Sequence, residues 1–235
     1  MTYKVVRMAT PRQVAREQMM RDIVRVGREH LATVLPADLS LRAVARDVGV
    51  VPSALYRYVR DREALITLLI VDAYDELADE VDTALTADAH LPHRDRLTAA
   101  VLAARAWAAR EPSRFAILYG TPVPGYTAPG DRTVGPGIRL ARIFATLVDD
   151  AWRAGELREV DPPSDPVVRA DMERLRELFG FQMPVGNVCR VYGLWSAVIG
   201  AILFDTFGHY ASDTVTDPSA FLRTHVTGLA ETVGL

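Results

Sequence analysis

Four side chains close to Pro52 form the group best suited to recognise the edges of DNA bases. If the residues after Pro52 are helical, the face away from Leu55 and Val59 carries Ser53, Ala54, Tyr56 and Arg57. The major groove of DNA admits one α-helix and presents a distinguishable pattern of hydrogen-bond donors and acceptors for each base pair. We therefore predict that these four residues contact bases.

Two short helices and a tight turn must hold these side chains. Between Leu41 and Leu65, the apolar positions are Val44, Val48, Val50, Leu55 and Tyr58. Helices that cross steeply need a small side chain where they touch and a residue tolerant of positive φ where the chain reverses. Ala45 and Gly49 supply these, and Pro52 suits a first helical position because its missing N–H would have no partner there. The pattern predicts a helix-turn-helix. The alternative is an αα-hairpin whose exposed side chains are only solvated.

The segment SLRAVARDVGVVPSALYRYVRDREALI resembles the DNA-binding segment of the tetracycline-repressor (TetR) family of bacterial transcriptional regulators. The resemblance extends over residues 13–70. It implies an all-α fold, with an N-terminal three-helix DNA-binding domain and a larger helical domain for ligand binding and dimerisation. We expect the domains to be residues 1–65 and 66–235. We also expect Ser40 and Arg42, near the start of the segment, to contact DNA.

Two residues of this segment depart from the family pattern. Val51 stands where the family usually has a Ser or Thr N-cap, which should weaken the helix start by about 1 kcal/mol. Arg62 stands where the family usually has a Lys that contacts the DNA backbone, and it keeps the positive charge. Arg12 and Arg16 lie near the start of a helix predicted for residues 13–34. They either reach backbone phosphates or remain ordinary solvated charges.

The distribution of charge favours a nucleic-acid partner for the N-terminal part. Residues 1–65 contain twelve Lys and Arg against seven Asp and Glu, a net charge of +5, and the remaining residues have a net charge of −8. A positive face lowers the cost of approaching phosphates, and an acidic remainder opposes wrapping of DNA around the whole protein. Counts this small also fit a chance distribution of solvated charges.

The rest of the sequence predicts further helices. Asp61 is placed to cap a long helix that runs to about Leu85 and joins both domains. Other helices are predicted at residues 93–110, from Pro112, at 136–154, 165–180 and 185–210, and from Pro218. Residues 120–137 contain five Gly and four Pro. They are predicted as a long loop that covers a cavity or, alternatively, as a disordered surface loop. The first ten residues are expected to be disordered.

Aromatic residues in the C-terminal part could line an apolar cavity with a few polar ends, the usual composition of a ligand site. The candidates are Trp107, Phe115, Tyr119, Phe144, Trp152, Tyr192 and Trp195. For each of them taken singly, packing in a core is the alternative role. The expected ligand is a small apolar or aromatic effector.

A stripe of small residues marks helix 185–210 as a place of close helix packing. The stripe consists of Gly193, Ala197, Gly200 and Ala201. Small side chains let a partner helix come close, and the partner is either the last helix of the same chain or the equivalent helices of a second subunit. We predict a homodimer interface formed by this stripe and Phe221.

The C-terminal part has a resemblance of its own. The stretches FAILYGTPVPGYTAP and WSAVIGAILFDTFGHY look like the C-terminal domain of one TetR subgroup, which is marked by a Trp-His-Gly signature. The residues that fit this signature are Trp195, Gly200, Gly208 and His209. Ile199 takes the place of the signature His, and Asp205 takes that of a Glu.

Other classes of protein are not indicated. The sequence has no Gly-x-Ser-x-Gly and no Cys-x-x-Cys, so no enzyme and no cofactor are expected. No Cys or carboxylate cluster accompanies His90 and His93, so no metal site is predicted. The single Cys189 fits a reducing cytoplasm. We expect neither a signal peptide nor a membrane span, since no uncharged run approaches the roughly 20 residues that a span needs.

Together these features predict a homodimeric, cytoplasmic transcriptional repressor that a small effector releases from a palindromic DNA operator. The chief alternative is an all-helical enzyme or small-molecule carrier that retains a helix-turn-helix. An architectural protein that binds DNA without sequence preference is disfavoured, because the basic excess is small.

Overall fold

The computed structural model describes residues 10–120, 122–210 and 214–235. Within these residues the chain is all-α, as predicted, with a short 3-10 turn at Pro36–Asp38 and no β-strand. The helices are α1 (Pro11–Leu31), α2 (Leu41–Val48), α3 (Pro52–Leu55), α4 (Arg62–Ala87), α5 (His93–Arg110), α6 (Pro112–Tyr119), α7 (Gly130–Arg153), α8 (Pro166–Phe179), α9 (Val185–Thr206) and α10 (Pro218–Val233). The first ten residues are expected to be disordered, and only Thr10 among them lies within the described part of the chain.

Side-chain caps account for where several helices begin. The Ser40 hydroxyl accepts a hydrogen bond from an amide in the first turn of α2. Asp61 caps α4 in the same way, with its carboxylate 2.7 Å from the Ala64 amide nitrogen, as the sequence predicts. Asp165 and Asp217 cap α8 and α10, each followed by a proline at the first helical position. Each cap satisfies an amide that the first turn leaves without an intrahelical partner.

Helices α1 to α3 pack with the start of α4 around one apolar core. Its buried members include Ile23, Val44, Leu55, Val59 and Leu65. Ala45 is completely buried, and Gly49 adopts a φ of 83° at the end of α2. A positive φ strains any residue that has a Cβ, so this tight turn favours glycine. The predicted helix-turn-helix is therefore present.

A second and larger core lies among α4 to α7, α9 and α10. Its largest completely buried side chains are Trp107, Phe115 and Phe144. The buried apolar residues of α4 belong to the first core up to Ile70 and to the second core from Ala73 onwards. With 26 residues and a rise of 1.5 Å per residue, α4 is about 39 Å long. A single helix thus connects the two cores.

The prediction of a loop at residues 120–137 is wrong for the second half of that range. Helix α7 begins at Gly130, so that Pro136 lies inside it. Proline in a helix interior removes a backbone hydrogen bond and costs about 3 kcal/mol. Tertiary packing offsets this cost here, because Thr133 and Leu140 are buried and a Cβ at Gly137 would lie 3.5 Å from the Tyr74 ring.

Two other helix ends differ from the predicted ranges. Helix α1 ends at Leu31 instead of residue 34, and Val34 is exposed. Helix α9 ends at Thr206 instead of residue 210. Gly208 adopts a φ of 70° there, and a left-handed residue cannot continue a right-handed helix.

By length and composition alone, α9 could cross a membrane, since its most apolar window has a mean hydropathy of 1.5. One face of α9 carries core residues, which include Val188, Val191, Leu194, Val198 and Ile202. The opposite face is open in the single chain. A helix this apolar is ordinary in the core of a helical domain.

Candidate nucleic-acid interface and ligand cavity

The α3 segment presents an exposed face beside the turn. Ser53, Tyr56 and Arg57 are exposed there and Ala54 is half-buried, whereas Leu55 is completely buried in the first core. The buried leucine anchors α3, so its neighbours are held at a fixed orientation. The structure thus brings the four predicted base-contacting residues to one surface.

The predicted contacts from α1 flank this surface. Arg12 is exposed in the first turn of α1. Arg16 is exposed one turn further on, and its guanidinium lies 5.4 Å from the centre of the Tyr58 ring. A guanidinium at this distance is attracted to the face of an aromatic ring. Arg16 is therefore held next to the α3 segment.

Further predicted contacts lie at the starts of α2 and α4, within the predicted DNA-binding module, which consists of α1 to α3 and the start of α4. Ser40 and Arg42 are exposed at the start of α2. The Val51 side chain does not cap α3, as expected for a valine at a position where the family usually has Ser or Thr. The exposed Arg62 begins α4 and donates a hydrogen bond to the backbone carbonyl of Ala37. This contact holds the Arg62 guanidinium beside the turn that precedes α2.

A buried arginine, which the sequence analysis missed, joins this module to the larger core. Arg114 of α6 is 2% exposed and lies 2.9 Å from Asp72 and 2.8 Å from Glu76, both on α4. Arg28 of α1 lies 2.6 Å from Asp72 and 2.7 Å from Glu76. The Trp107 indole on α5 donates a hydrogen bond to Glu76 at 3.0 Å. We call these five residues the Arg114 cluster. It lies where the two cores meet along α4.

The Arg114 cluster lowers the pKa of the Glu76 carboxyl. Burial by itself would raise this pKa, but hydrogen bonds from Arg114 and Trp107, together with the positive charges of Arg114 and Arg28, outweigh it. The one sequence signal for the cluster is the spacing of Asp72 and Glu76, which places both on one face of a helix. The two arginines are distant in sequence, and nothing in the sequence pairs them with this face.

Comparison with known proteins settles the family. Residues 97–229 match the family model described as "Tetracyclin repressor-like, C-terminal domain". The chain is also 43% identical, over 207 residues and 88% of each chain, to the HTH-type transcriptional regulator Rv1816 of Mycobacterium tuberculosis (strain ATCC 25618 / H37Rv). The chain belongs to the TetR family. The relatives are transcriptional regulators, so this protein is a DNA-binding transcriptional regulator and not an enzyme.

Solved structures agree with this assignment. The regulatory protein SCO4313 is 30% identical and superposes with a TM-score of 0.74, covering 94% of this chain and 100% of its own. A TetR-family transcription regulator from Shewanella sp. PV-4 superposes with a TM-score of 0.59 at 16% identity, covering 89% of this chain and 96% of its own. The second likeness concerns the fold alone.

In this TetR-family regulator, the seven aromatic residues predicted to contact a ligand do not surround one cavity. Trp107, Phe115 and Phe144 are completely buried in the second core. Large aromatic side chains contribute much of the apolar area that a core needs. A ligand could reach these three residues only if the core opened.

Tyr192 and Trp195 do line a cavity, of about 80 Å³, between α7, the end of α8 and α9. Its other apolar walls are Ile138, Ala141, Ala145, Phe179 and Phe181. The sequence analysis missed Phe179 and Phe181, whose ring centroids are 5.7 Å apart. Their position on either side of Gly180, at the end of a predicted helix, gave no sign of a cavity wall. We call this space the aromatic cavity.

The remaining two candidates lie elsewhere. The Tyr119 ring packs between Phe115, at 5.2 Å, and Tyr74, at 6.0 Å between ring centroids. Burial raises the pKa of the Tyr119 phenol. Its buried hydroxyl has no hydrogen-bond partner among the described residues. Trp152 is half-buried near the end of α7 and packs against the second core.

A larger open cleft of about 660 Å³ lies between α4, α5 and α7. Its charged lining residues are Asp82, Arg96, Arg139, Arg142 and Asp150, and its apolar ones include Leu85, Ile143 and Leu147. The Arg139 guanidinium is already bound by Asp79 at 2.6 Å and by Asp82 at 3.0 Å. The two spaces lie on adjoining faces of α7 and share Arg142 as a lining residue. One is small and aromatic, and the other is wide and charged.

The predicted dimer residues lie on the outward side of α9 and α10. Gly193 is exposed, and Ala197, Gly200 and Ala201 are half-buried. A Cβ at Gly193 or Gly200 would meet no atom within 4 Å. Aromatic rings continue this side, with Tyr210 lying 5.8 Å from Phe204 and 5.4 Å from Phe221 between ring centroids.

The residues of the Trp-His-Gly signature have separate surroundings. Ile199, in place of the signature His, is 7% exposed and belongs to the second core. Asp205, in place of a Glu, lies 2.7 Å from the Arg105 guanidinium. His209 packs against Phe204, with ring centroids 5.1 Å apart. The subgroup assignment remains a prediction.

Proposed function

We propose that this regulator is a homodimeric, cytoplasmic repressor that leaves a palindromic operator when a small apolar or aromatic effector binds. Residues 1–65 would form its DNA-binding domain and residues 66–235 its ligand-binding and dimerisation domain. The observation that carries the proposal is the sharing of α4 by both apolar cores. Because α4 is one helix, a tilt of the end packed in the second core also moves the end that supports α3.

The DNA contacts are proposed from exposure and position. Base contacts are assigned to Ser53, Ala54, Tyr56 and Arg57. Phosphate contacts are assigned to Arg12, Arg16, Ser40, Arg42 and Arg62. The support for this assignment is that Ser53, Tyr56 and Arg57 are exposed next to the buried Leu55, with Ala54 half-buried beside them, and that the assigned arginines and Ser40 are exposed on the same module. Arginine and hydroxyl groups are the usual partners of phosphate oxygens.

Dimerisation is proposed through the outward side of α9 and α10. One recognition helix contacts only a few base pairs, so specific binding needs two of them, spaced by about one turn of DNA or a multiple of it. The open space beside Gly193 and Gly200 lets another helix backbone approach closely. The exposed rings of Phe204 and Phe221 add apolar area that a second subunit would cover.

The effector is proposed to enter the aromatic cavity. At about 80 Å³, the cavity is much smaller than the roughly 300–1,000 Å³ of typical ligand pockets, so binding must enlarge it. Helix α8 is the wall best able to move, because none of its residues is buried and its main neighbour is α9. The effector would then press on α7, which forms the opposite wall.

The Arg114 cluster supplies a second connection between the two cores. Arg114 is placed by α6, which packs on the second core, whereas Arg28 belongs to α1 of the DNA-binding module. Both guanidinium groups bind Asp72 and Glu76 of α4. A displacement of α6 would therefore be transmitted to α1 as well as to α4.

A gel-retardation experiment tests the proposed function. The probe is a DNA fragment that carries the protein's own promoter region, with a scrambled fragment of equal length as control. We expect the promoter fragment to be retarded at protein concentrations that leave the scrambled fragment free. This binding should weaken as salt is raised, because the release of condensed counterions is less favourable at high salt. Equal retardation of both fragments would contradict a sequence-specific repressor.

A further inference from the structure

A cleft of about 400 Å³ opens directly beside the α3 segment, and two distant parts of the chain form it. The DNA-binding module contributes Tyr56, Arg57, Tyr58, Arg60 and Ala64. The start of α7 contributes Pro129, Asp131 and Arg132. One wall of this cleft therefore carries residues proposed to contact bases, and the other wall belongs to the larger domain.

The loop before α7 fixes this wall against the DNA-binding module. The Tyr126 hydroxyl lies 3.0 Å from the Thr67 hydroxyl of α4, and Thr67 is 2% exposed. Val123 and Tyr126 also pack against the first apolar core. Because these contacts hold Val123 and Tyr126, they also restrain the nearby first turn of α7 next to α3.

The charge of the cleft suits an anion. Arg57, Arg60 and Arg132 contribute three guanidinium groups to its lining, against the single carboxylate of Asp131. Arg60 is partly neutralised, since its Nε lies 2.9 Å from the Asp61 carboxylate. Arg57 and Arg132 are exposed, so their charges remain accessible to a ligand in the cleft. Guanidinium groups form charge-assisted hydrogen bonds with phosphate oxygens.

We propose that Arg132, although it lies outside the helix-turn-helix, binds a backbone phosphate of the same DNA duplex that Tyr56 and Arg57 contact. The proposal rests on the proposed DNA-contacting face of α3. It adds a DNA contact carried by α7, whose residue Ala141 lines the aromatic cavity. Arg132 and Ala141 are nine positions apart along the helix, a distance of about 14 Å. A ligand that moves α7 would thus displace a DNA contact directly.

Binding to a fluorescein-labelled random-sequence duplex tests this proposal by anisotropy, because a phosphate contact acts on every sequence. Dissociation constants are measured for the full-length protein between about 50 and 200 mM NaCl. The wild type is compared with Arg132→Ala and with Arg132→Lys, which keeps the charge. The matched control is Arg142→Ala, which removes the same charge from an exposed position of α7 about 15 Å further along the helix. Circular dichroism checks that each variant is folded.

We expect Arg132→Ala to bind more weakly and to reduce the slope of log K against log salt by about 0.9 for each phosphate that the variant no longer neutralises. Arg132→Lys should keep most of the wild-type slope. Arg142→Ala should have the same affinity and the same slope as the wild type. Asp131→Asn should tighten binding at low salt, because it removes a negative charge from the cleft. If Arg132→Ala keeps the wild-type slope while Arg57→Ala weakens binding, this proposal is overturned and the proposed function stands. A wild type that binds no duplex DNA would overturn both.

Discussion

The guanidinium of Arg114 lies 2.9 Å from the carboxylate of Asp72, although the Arg114 side chain is only 2% exposed. A second arginine, Arg28, holds the same carboxylate from the DNA-binding module. Arg28 and Arg114 therefore meet at Asp72, where the two cores adjoin along α4.

Replacing the buried arginine should be strongly destabilising. Removal of one partner of a buried ion pair leaves an uncompensated charge, so Arg114→Met should lower the free energy of unfolding by about 3–5 kcal/mol. The control is Arg110→Met, since Arg110 and Glu80 form a 2.7 Å pair in which both side chains are about half exposed. That change should cost no more than about 1 kcal/mol. Urea unfolding measures both, and equal losses would contradict a special role for the Arg114 cluster.

The same cluster predicts a pH dependence. The pKa of Glu76 is lowered in the folded protein, so its contribution to stability is present above its ordinary pKa of about 4.5 and is lost as the pH falls through the folded value. The difference in unfolding free energy between wild type and Glu76→Gln should be constant near neutral pH. It should shrink below about pH 4.5. Urea unfolding of both proteins across this pH range measures the difference. A difference in unfolding free energy that grows on acidification would contradict the lowered pKa of Glu76.

Base contact and phosphate contact should be separable on DNA. Arg57→Ala should weaken binding to the preferred operator by about 1–3 kcal/mol and binding to random DNA by less. Arg62→Ala should weaken both alike, because a phosphate contact carries no sequence information. Anisotropy titrations on the two DNAs measure the difference. If Arg57→Ala weakens binding to operator and to random DNA equally, Arg57 does not contact bases.

Added bulk on the outward face of α9 should abolish dimerisation. Ala197→Trp places a large side chain where the helix of a second subunit would pack. We expect monomers that keep helical circular dichroism but lose operator affinity. Ala15→Trp, on an exposed position of α1, adds the same bulk and should stay dimeric. Light scattering measures the oligomeric state of both variants. If the Ala197→Trp variant is still a dimer, the dimer interface does not lie on this face of α9.

Two variants of α7 should show which space holds the effector. Ala141→Trp fills the aromatic cavity and should abolish the response to effector while operator binding persists. Thr146 lines the larger charged cleft, so Thr146→Trp should obstruct that cleft and leave the response intact. If the effector lowers DNA affinity about a hundredfold, the coupling free energy between the two sites is about 2.7 kcal/mol. The DNA-bound protein must then bind the effector about a hundredfold more weakly than the free protein does. Loss of the response in Thr146→Trp alone would place the effector in the charged cleft.

The parts of this protein that the sequence predicted are those set by neighbouring residues. Gly49, Pro52 and Asp61 act through their own backbone or first helical turn, so their roles follow from local rules. The exposed face of α3 follows as well, because helical periodicity separates it from Leu55. The same holds for the outward stripe of α9.

The parts that the sequence did not predict depend on contacts between distant segments. Pro136 lies inside α7 because burial of Thr133 and Leu140 overrides its local preference. Phe144 was proposed as a cavity wall but is packed in the core, whereas Phe181 lines the cavity. Periodicity cannot distinguish a solid core from a cavity, because both need apolar residues at the same helical spacing.

Hydroxyl-radical footprinting on the protein's own promoter region tests the central claim most directly. A dimer that presents two α3 segments should protect two patches related by two-fold symmetry, with centres separated by about one turn of DNA or a multiple of it. Protection should weaken at both patches together in Arg57→Ala and when an effector is added. A single asymmetric patch, or protection no different from that of scrambled DNA, would contradict a dimeric, operator-specific repressor.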